Sequence, residues 1–213
     1  PDRGGQCRAD CYRVETYADR SGPLPCAGTR DEAGLLEVVF PELARVDRQS
    51  LQQRLGCLDD VSFPLALAAL LLECPDVEAV CRRLKLSNEE TSAATWLVEH
   101  RDALDAAADQ RLSRLKPVLA HGLAVPLMEL VQAVAGGQSD DVDFCREFLR
   151  TTPGEQLDPT PLLTGEDLIA AGLSPGPEFK RLLDLIRDAQ LEGRVQAREE
   201  ALELVMVLRE TDE

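Results

Sequence analysis

The segment from Pro161 to Val205 constrains the fold more than any other part of the chain. Its apolar residues recur every three or four positions, and glycines interrupt the pattern where a helix has to stop. That combination specifies short helices joined by tight turns. Thr164 is placed to cap the first, and Asp167 three residues on completes a capping-box pair. Gly172 stands where that helix must end in a left-handed residue. Ser174 is placed to cap a second helix, with Pro175 in its first turn, where a missing N–H costs nothing. Phe179, Leu182, Leu183, Ile186 and Leu191 form its apolar stripe, and Gly193 ends it. A third helix is expected from about Arg198, burying Ala201, Leu202, Val205 and Leu208.

Helical periodicity also runs upstream, from about Asp31. Glu32 to Val39 reads as a short helix that Pro41 ends, and Gln49 to Leu58 follows. Phe63 to Cys74 is apolar nearly all round, which predicts a central core helix broken by Pro75. Asp76 to Leu84 makes another. Ser87 and Glu90 start a helix that runs to about His100 and carries Trp96, expected in the core. Arg101 to Ala108, Leu112 to Ala120 and Leu123 to Ala135 continue the series. Gly136 to Ser139 is a loop, and Asp141 starts a helix with Phe144, Cys145, Phe148 and Leu149. Thr151 to Gly154 and Pro159 to Pro161 form a linker. Alanine and leucine dominate and aromatics are 4% of the chain, which favours packed helices over sheets. The expected fold is all-α: a right-angle or bundle-like array of helices ending in a three-helix tail with a helix–turn–helix. Residues 31–155 form the helical body and 156–213 the tail, while residues 1–30 remain unassigned.

No apolar run reaches the length of a membrane span, about 18 residues, and no basic-then-apolar leader opens the chain. Seven cysteines, an odd number at irregular spacing, suit a reduced cytoplasmic protein. Cys57, Cys74, Cys81 and Cys145 fall at apolar helical positions and are expected to serve as small core hydrophobes. The net charge of −16 opposes a free-standing nucleic-acid binder, because phosphate is normally met by a basic surface. Contact through a few arginines and helix N-termini is still open.

The turn from Gly172 to Gly176 exposes backbone N–H groups at a helix start, and its small residues admit another backbone closely. Such a turn suits an anion, a nucleic-acid phosphate foremost. Lys180 and Arg181 lie one helical turn beyond it. Arg194 and Arg198 flank the next turn, and Arg187 lies between. The alternative is a turn that merely packs, with these cations paired along a solvated face to Glu178, Asp184, Asp188 and Glu192.

Leu163-Thr164-Gly165 with Asp167-Leu168, then Gly172, Pro175-Gly176-Pro177, Ala189-Gln190-Leu191-Glu192-Gly193 and Arg198-Glu199-Glu200-Ala201-Leu202 form one ordered pattern. It resembles the C-terminal segment of the bacterial class II tRNA nucleotidyltransferase/poly(A) polymerase family. Gly34 to Leu43 is similar to that family's junction between head and body, and Trp96 to His100 to part of its helical body. The likeness covers roughly residues 31 to 210. It implies a neck, body and tail that position a tRNA or other RNA 3′ end, with no DNA partner and no membrane. RNA contact is then expected at Thr164, Gly165, Gly172, Pro175, Gly176, Lys180, Arg181, Arg194 and Arg198.

The resembled enzymes add nucleotides with ATP or CTP and Mg²⁺, held in an N-terminal head by a Gly-Gly-x-x-Arg-Asp segment and a strand with Asp-x-Asp. Here Gly4-Gly5 precedes Arg8, but Ala9 stands where the aspartate belongs. Gly136-Gly137 precedes Asp141 and Asp143, but in helical surroundings and without the arginine. The chain therefore carries no expected catalytic or metal residue, and the head is expected to lie outside it. His100 and His121 lack the His-Asp pairing of a phosphohydrolase module. Cys7, Cys11 and Cys26 lack a fourth zinc ligand. The rival expectation is an acidic helical module that docks a protein partner without binding RNA. An intact minimal enzyme would need residues 1–30 to build a metal-binding sheet, for which they are too few.

Overall fold

In the computed structural model, which describes residues 38–58, 61–173 and 176–212, regular structure is helical and those residues contain no strand. The fold is all-α, as expected. After the 3-10 helix Pro41–Arg45 come α1 (Arg48–Gly56), α2 (Phe63–Leu70), α3 (Val77–Arg83) and α4 (Asn88–Glu99). A 3-10 turn at Ala107–Asp109 leads to α5 (Leu112–Ala120), α6 (Ala124–Val134), α7 (Asp140–Thr151) and the single turn α8 (Gly154–Leu157). The chain closes with α9 (Gly165–Ala170), α10 (Pro177–Leu191) and α11 (Arg198–Asp212). The expectations for residues 1–30, and most of the helix over Glu32 to Val39, lie outside the described residues, as do Ser174 and Pro175.

Local side-chain caps set five of the eleven described helix starts. The Ser87 hydroxyl accepts from Glu90 N while the Glu90 carboxylate takes Ser87 N–H at 2.9 Å, a full capping box. Thr164 and Asp167 repeat it at α9. Asp47, Asp76 and Ser139 cap α1, α3 and α7 through their side chains. Gly172 and Gly193 end α9 and α10 with φ of +86° and +73°, the left-handed conformation that glycine adopts without a Cβ penalty.

Two apolar clusters result. The larger packs α2, where Leu65, Ala68 and Ala69 are at most 1% exposed, against Val80, Cys81, Leu97, Leu115, Leu127, Val142 and Cys145. The smaller holds Leu163, Leu168, Leu182, Ile186, Ala189, Val195, Ala201 and Val205. Leu202 and Leu208 are only partly covered against it. Cys81 and Cys145 are fully buried, whereas Cys57 and Cys74 are half-exposed.

Four expectations are corrected. First, α2 stops at Leu70 rather than Cys74. The buried Arg54 guanidinium donates to the Ala69 carbonyl at 3.1 Å, and the chain turns back with Cys74 N–H on the Leu71 carbonyl, which seats Leu71 in the core. Phe63, at the start of α2, keeps half its surface exposed. Second, residues 101–106 form turns rather than a helix. Gln110 Nε2 donates to the carbonyls of Ala103 and Asp105, and the Asp141 carboxylate accepts from Ala107 N–H, so side chains replace the helical ladder. Third, the linker after Thr152 contains α8. Fourth, α10 is described from Pro177, with the extended Gly176 at its N-cap, so its start falls later than expected. A residue preceding proline is pushed out of the helical region, so Gly176 cannot lie inside the helix.

Candidate nucleic-acid interface

The α9–α10 turn offers fewer donors than its sequence suggests. The N–H groups of Gly172 and Leu173 close the end of α9 on the Ile169 and Leu168 carbonyls, at 2.9 and 3.0 Å. In α10, Pro177 has no N–H, and Phe179 N–H bonds the Gly176 carbonyl. Among the described residues, no side chain caps the amides of Gly176 and Glu178 at the start of this 15-residue helix. Gly172 and Gly176 are both exposed. Pro175 lies outside the described residues.

The expected cations divide into distinct roles. Lys180 is exposed, one turn into α10, and has no ion pair among the described residues. Arg181 bonds the Glu178 carboxylate at 3.2 Å. Arg187 donates to the Asp158 carboxylate at 2.6 Å and to the Pro159 carbonyl, while Gln190 Nε2 holds the Thr160 carbonyl at 2.7 Å. Together they strap the linker along α10. Arg198 pairs with Asp167, whose other oxygen completes the capping box with Thr164. Thr164, Gly165 and Arg198 therefore meet at the start of α9. The Asp167 carboxyl is held below its ordinary range, first by Thr164 N–H and the Thr164 hydroxyl, then by Arg198. Arg194 lies beyond the far end of α10, a helix of 15 residues and so about 22 Å long. The eight expected contacts among the described residues thus divide between the start of α9, the turn and first residues of α10, and the end of α10.

Arg194 belongs to the junction between α10 and α5. There the Glu192 carboxylate accepts Ser113 N–H at 3.0 Å, capping α5, which has no local side-chain cap. In return Lys116 Nζ donates to the Leu191 carbonyl at 2.8 Å, covering the C-terminal end of α10. Each helix caps the other. The Ser113 amide holds the Glu192 carboxyl below its usual range, with the charges of Arg194 and Arg111 adding to the effect. Arg111, Ser113, Asp188, Glu192 and Arg194 line a cavity of about 290 Å³. Sequence reasoning missed Arg111 and Lys116, and named Glu192 only as a partner along the solvated face rather than as the cap of α5. A signal was present: α5 starts at Arg111-Leu112-Ser113 without a local cap, and Glu192 ends a helix where the dipole disfavours a carboxylate.

Trp96 is half-buried rather than fully in the core. His100 stacks on one face with ring centroids 4.2 Å apart and His121 on the other at 4.0 Å. Both faces are covered, so the indole has no surface for a nucleotide base. The Gly136-Gly137 segment carries no metal geometry: Asp141 caps Ala107 and Asp143 lies 3.6 Å from Arg146. Among the described residues no three His, Cys, Asp or Glu side chains converge to hold a metal. No single described helix is long and apolar enough to cross a membrane.

A family model described as tRNA nucleotidyltransferase domain 2 matches residues 64–206. The match runs from α2 into α11, taking in both apolar clusters and the junction between α5 and α10. No curated protein and no solved structure matches the chain.

Proposed function

Because this chain belongs to the tRNA nucleotidyltransferase domain 2 family, we propose that it is the helical part of such an enzyme that holds an RNA, tRNA foremost, by its backbone and presents the 3′ end for nucleotide addition. Addition itself, with ATP or CTP and Mg²⁺, belongs to a catalytic head. The class II, CCA-adding or poly(A)-adding character of that head is part of the proposal and rests on the resemblance of the tail motif. The observation that carries the reading is that one family match spans body, junction and tail together. The start of α10 beside Lys180, which no described side chain caps, and Arg194 at the junction are the places where phosphates would sit.

The test is a salt titration of labelled tRNA against the full chain. Binding is expected at low salt. Lys180→Glu or Arg194→Glu should each weaken it about tenfold and lower the salt slope by about one. No binding at any salt would remove the RNA role. Binding indifferent to both reversals would remove these two places and leave the role standing.

A second reading, an acidic helical module that docks protein and no RNA, is favoured by the net charge of −16. The engagement of Arg181, Arg187 and Arg198 with Glu178, Asp158 and Asp167 supports it too. Absence of tRNA binding together with retained protein binding would select it.

A further inference from the structure

A groove on the body lies outside all the residues of the RNA reading. It is a cavity of about 230 Å³ between the turn after α4 and the C-terminal end of α6. Its floor is apolar. Leu72 and Leu130 are buried, Val131 is half-buried, and Val134 keeps 52% of its surface open. Its rim carries three carboxylates, Asp102, Asp105 and Asp141, against one cation, Arg101. Arg101 lies 3.4 Å from the Asp102 carboxylate in an exposed pair, and such pairs hold little energy. Asp141 is engaged with Ala107 N–H. Asp105 is exposed and has no ion-pair partner among the described residues.

The rim is held firmly. Ala106 has a φ of +51°, a conformation uncommon for a residue with a side chain. The Gln110 amide on the Asp105 carbonyl, at 2.6 Å, and the Asp141 carboxylate on Ala107 N–H fix it from both sides. Asp105 is therefore displayed on an ordered turn above an open apolar floor.

A hydrocarbon floor beside the Asp105 carboxylate and the weakly paired Asp102 matches a long aliphatic stem with a positive end. We propose that this groove docks a lysine- or arginine-bearing segment of a partner polypeptide, its stem on Val131 and Val134 and its charge between Asp102 and Asp105. The net charge of −16 steers such a partner toward the chain, while the apolar floor decides where it stops. The inference stands apart from the RNA reading, and neither fails with the other.

The experiment uses the full chain with ¹⁵N labelling, a labelled amphipathic lysine–leucine peptide and its glutamate–leucine counterpart. The lysine peptide should bind and the glutamate peptide should not. Amide shifts should concentrate at Asp102, Asp105, Val131 and Val134. Asp105→Asn should weaken binding about fivefold, and Val134→Asp about tenfold despite its added negative charge, since loss of the stem contact outweighs one rim charge. Glu199→Gln, which removes an exposed charge in α11, should change nothing. Binding that Val134→Asp strengthens, shifts spread over other surfaces, or no binding would each overturn the proposal. So would tRNA shifting the same four amides.

Discussion

Glu192 ends α10, where the helix dipole disfavours a carboxylate, and it is kept charged there by a residue 79 positions away, through Ser113 N–H. Its depressed carboxyl contributes stability above the ordinary glutamate value of 4.5, and that contribution is lost as pH falls through the lower, folded-state value. Urea melts at a series of acidic pH values should therefore show Glu192→Gln losing less stability than the parent below about pH 4.5. Cys145 shows the opposite shift. Burial, with Asp141 adding, pushes its thiol up to about 11, so it stays a neutral thiol in the fold. In a native iodoacetamide time course read by mass spectrometry, Cys57 and Cys74 should be modified well before Cys145 and Cys81. At this scale the sequence was readable wherever a residue acts on its own neighbours. Thr164 with Asp167 and Ser87 with Glu90 lie three positions apart and form as their spacing predicts. Glu192 and Lys116 were opaque, because nothing local names a partner on another helix.

Elements followed the same rule. Gly193 sits at φ +73°, and a Cβ there would meet nothing within 4 Å. The cost of Gly193→Ala is then backbone strain alone, about 1–2 kcal/mol, measurable by chemical denaturation. The starts of α4 and α9 were set by capping boxes, and the ends of α9 and α10 by glycines. The end of α2 was not, because an unbroken apolar run cannot say where it stops. Arg54 decides it from α1, with Nη1 on the Ala69 carbonyl and Nη2 3.0 Å from Glu73. Replacing Arg54 by alanine leaves that buried carbonyl without its donor and should cost about 2 kcal/mol, seen as a lower melting temperature. Residues 101–106 failed as a helix for a related reason: Gln110 and Asp141, side chains from outside the segment, took its backbone groups.

Across the whole molecule, the described residues form two apolar clusters, and α5 and α10 join them through the reciprocal caps of Glu192 on Ser113 and Lys116 on Leu191. Removing both ties, in a Lys116→Met, Glu192→Gln double variant, should raise hydrogen exchange in α10 and α11 while α2 and α4 keep their protection. A uniform rise in all four helices would show that the two clusters unfold as one unit. The same scale explains why the candidate RNA contacts were legible as residues but not as a site. Their spacing along the chain was plain, yet the length of α10 separates Lys180 from Arg194, which lies past its end, and carboxylates engage Arg181, Arg187 and Arg198. The sequence by itself determined the all-α class, most helix starts and the family motif, because caps, glycines and apolar period act over a few residues. Only the tertiary structure decided which charges are spent inside the fold and which remain to meet a partner, because those pairings join residues that the chain keeps far apart.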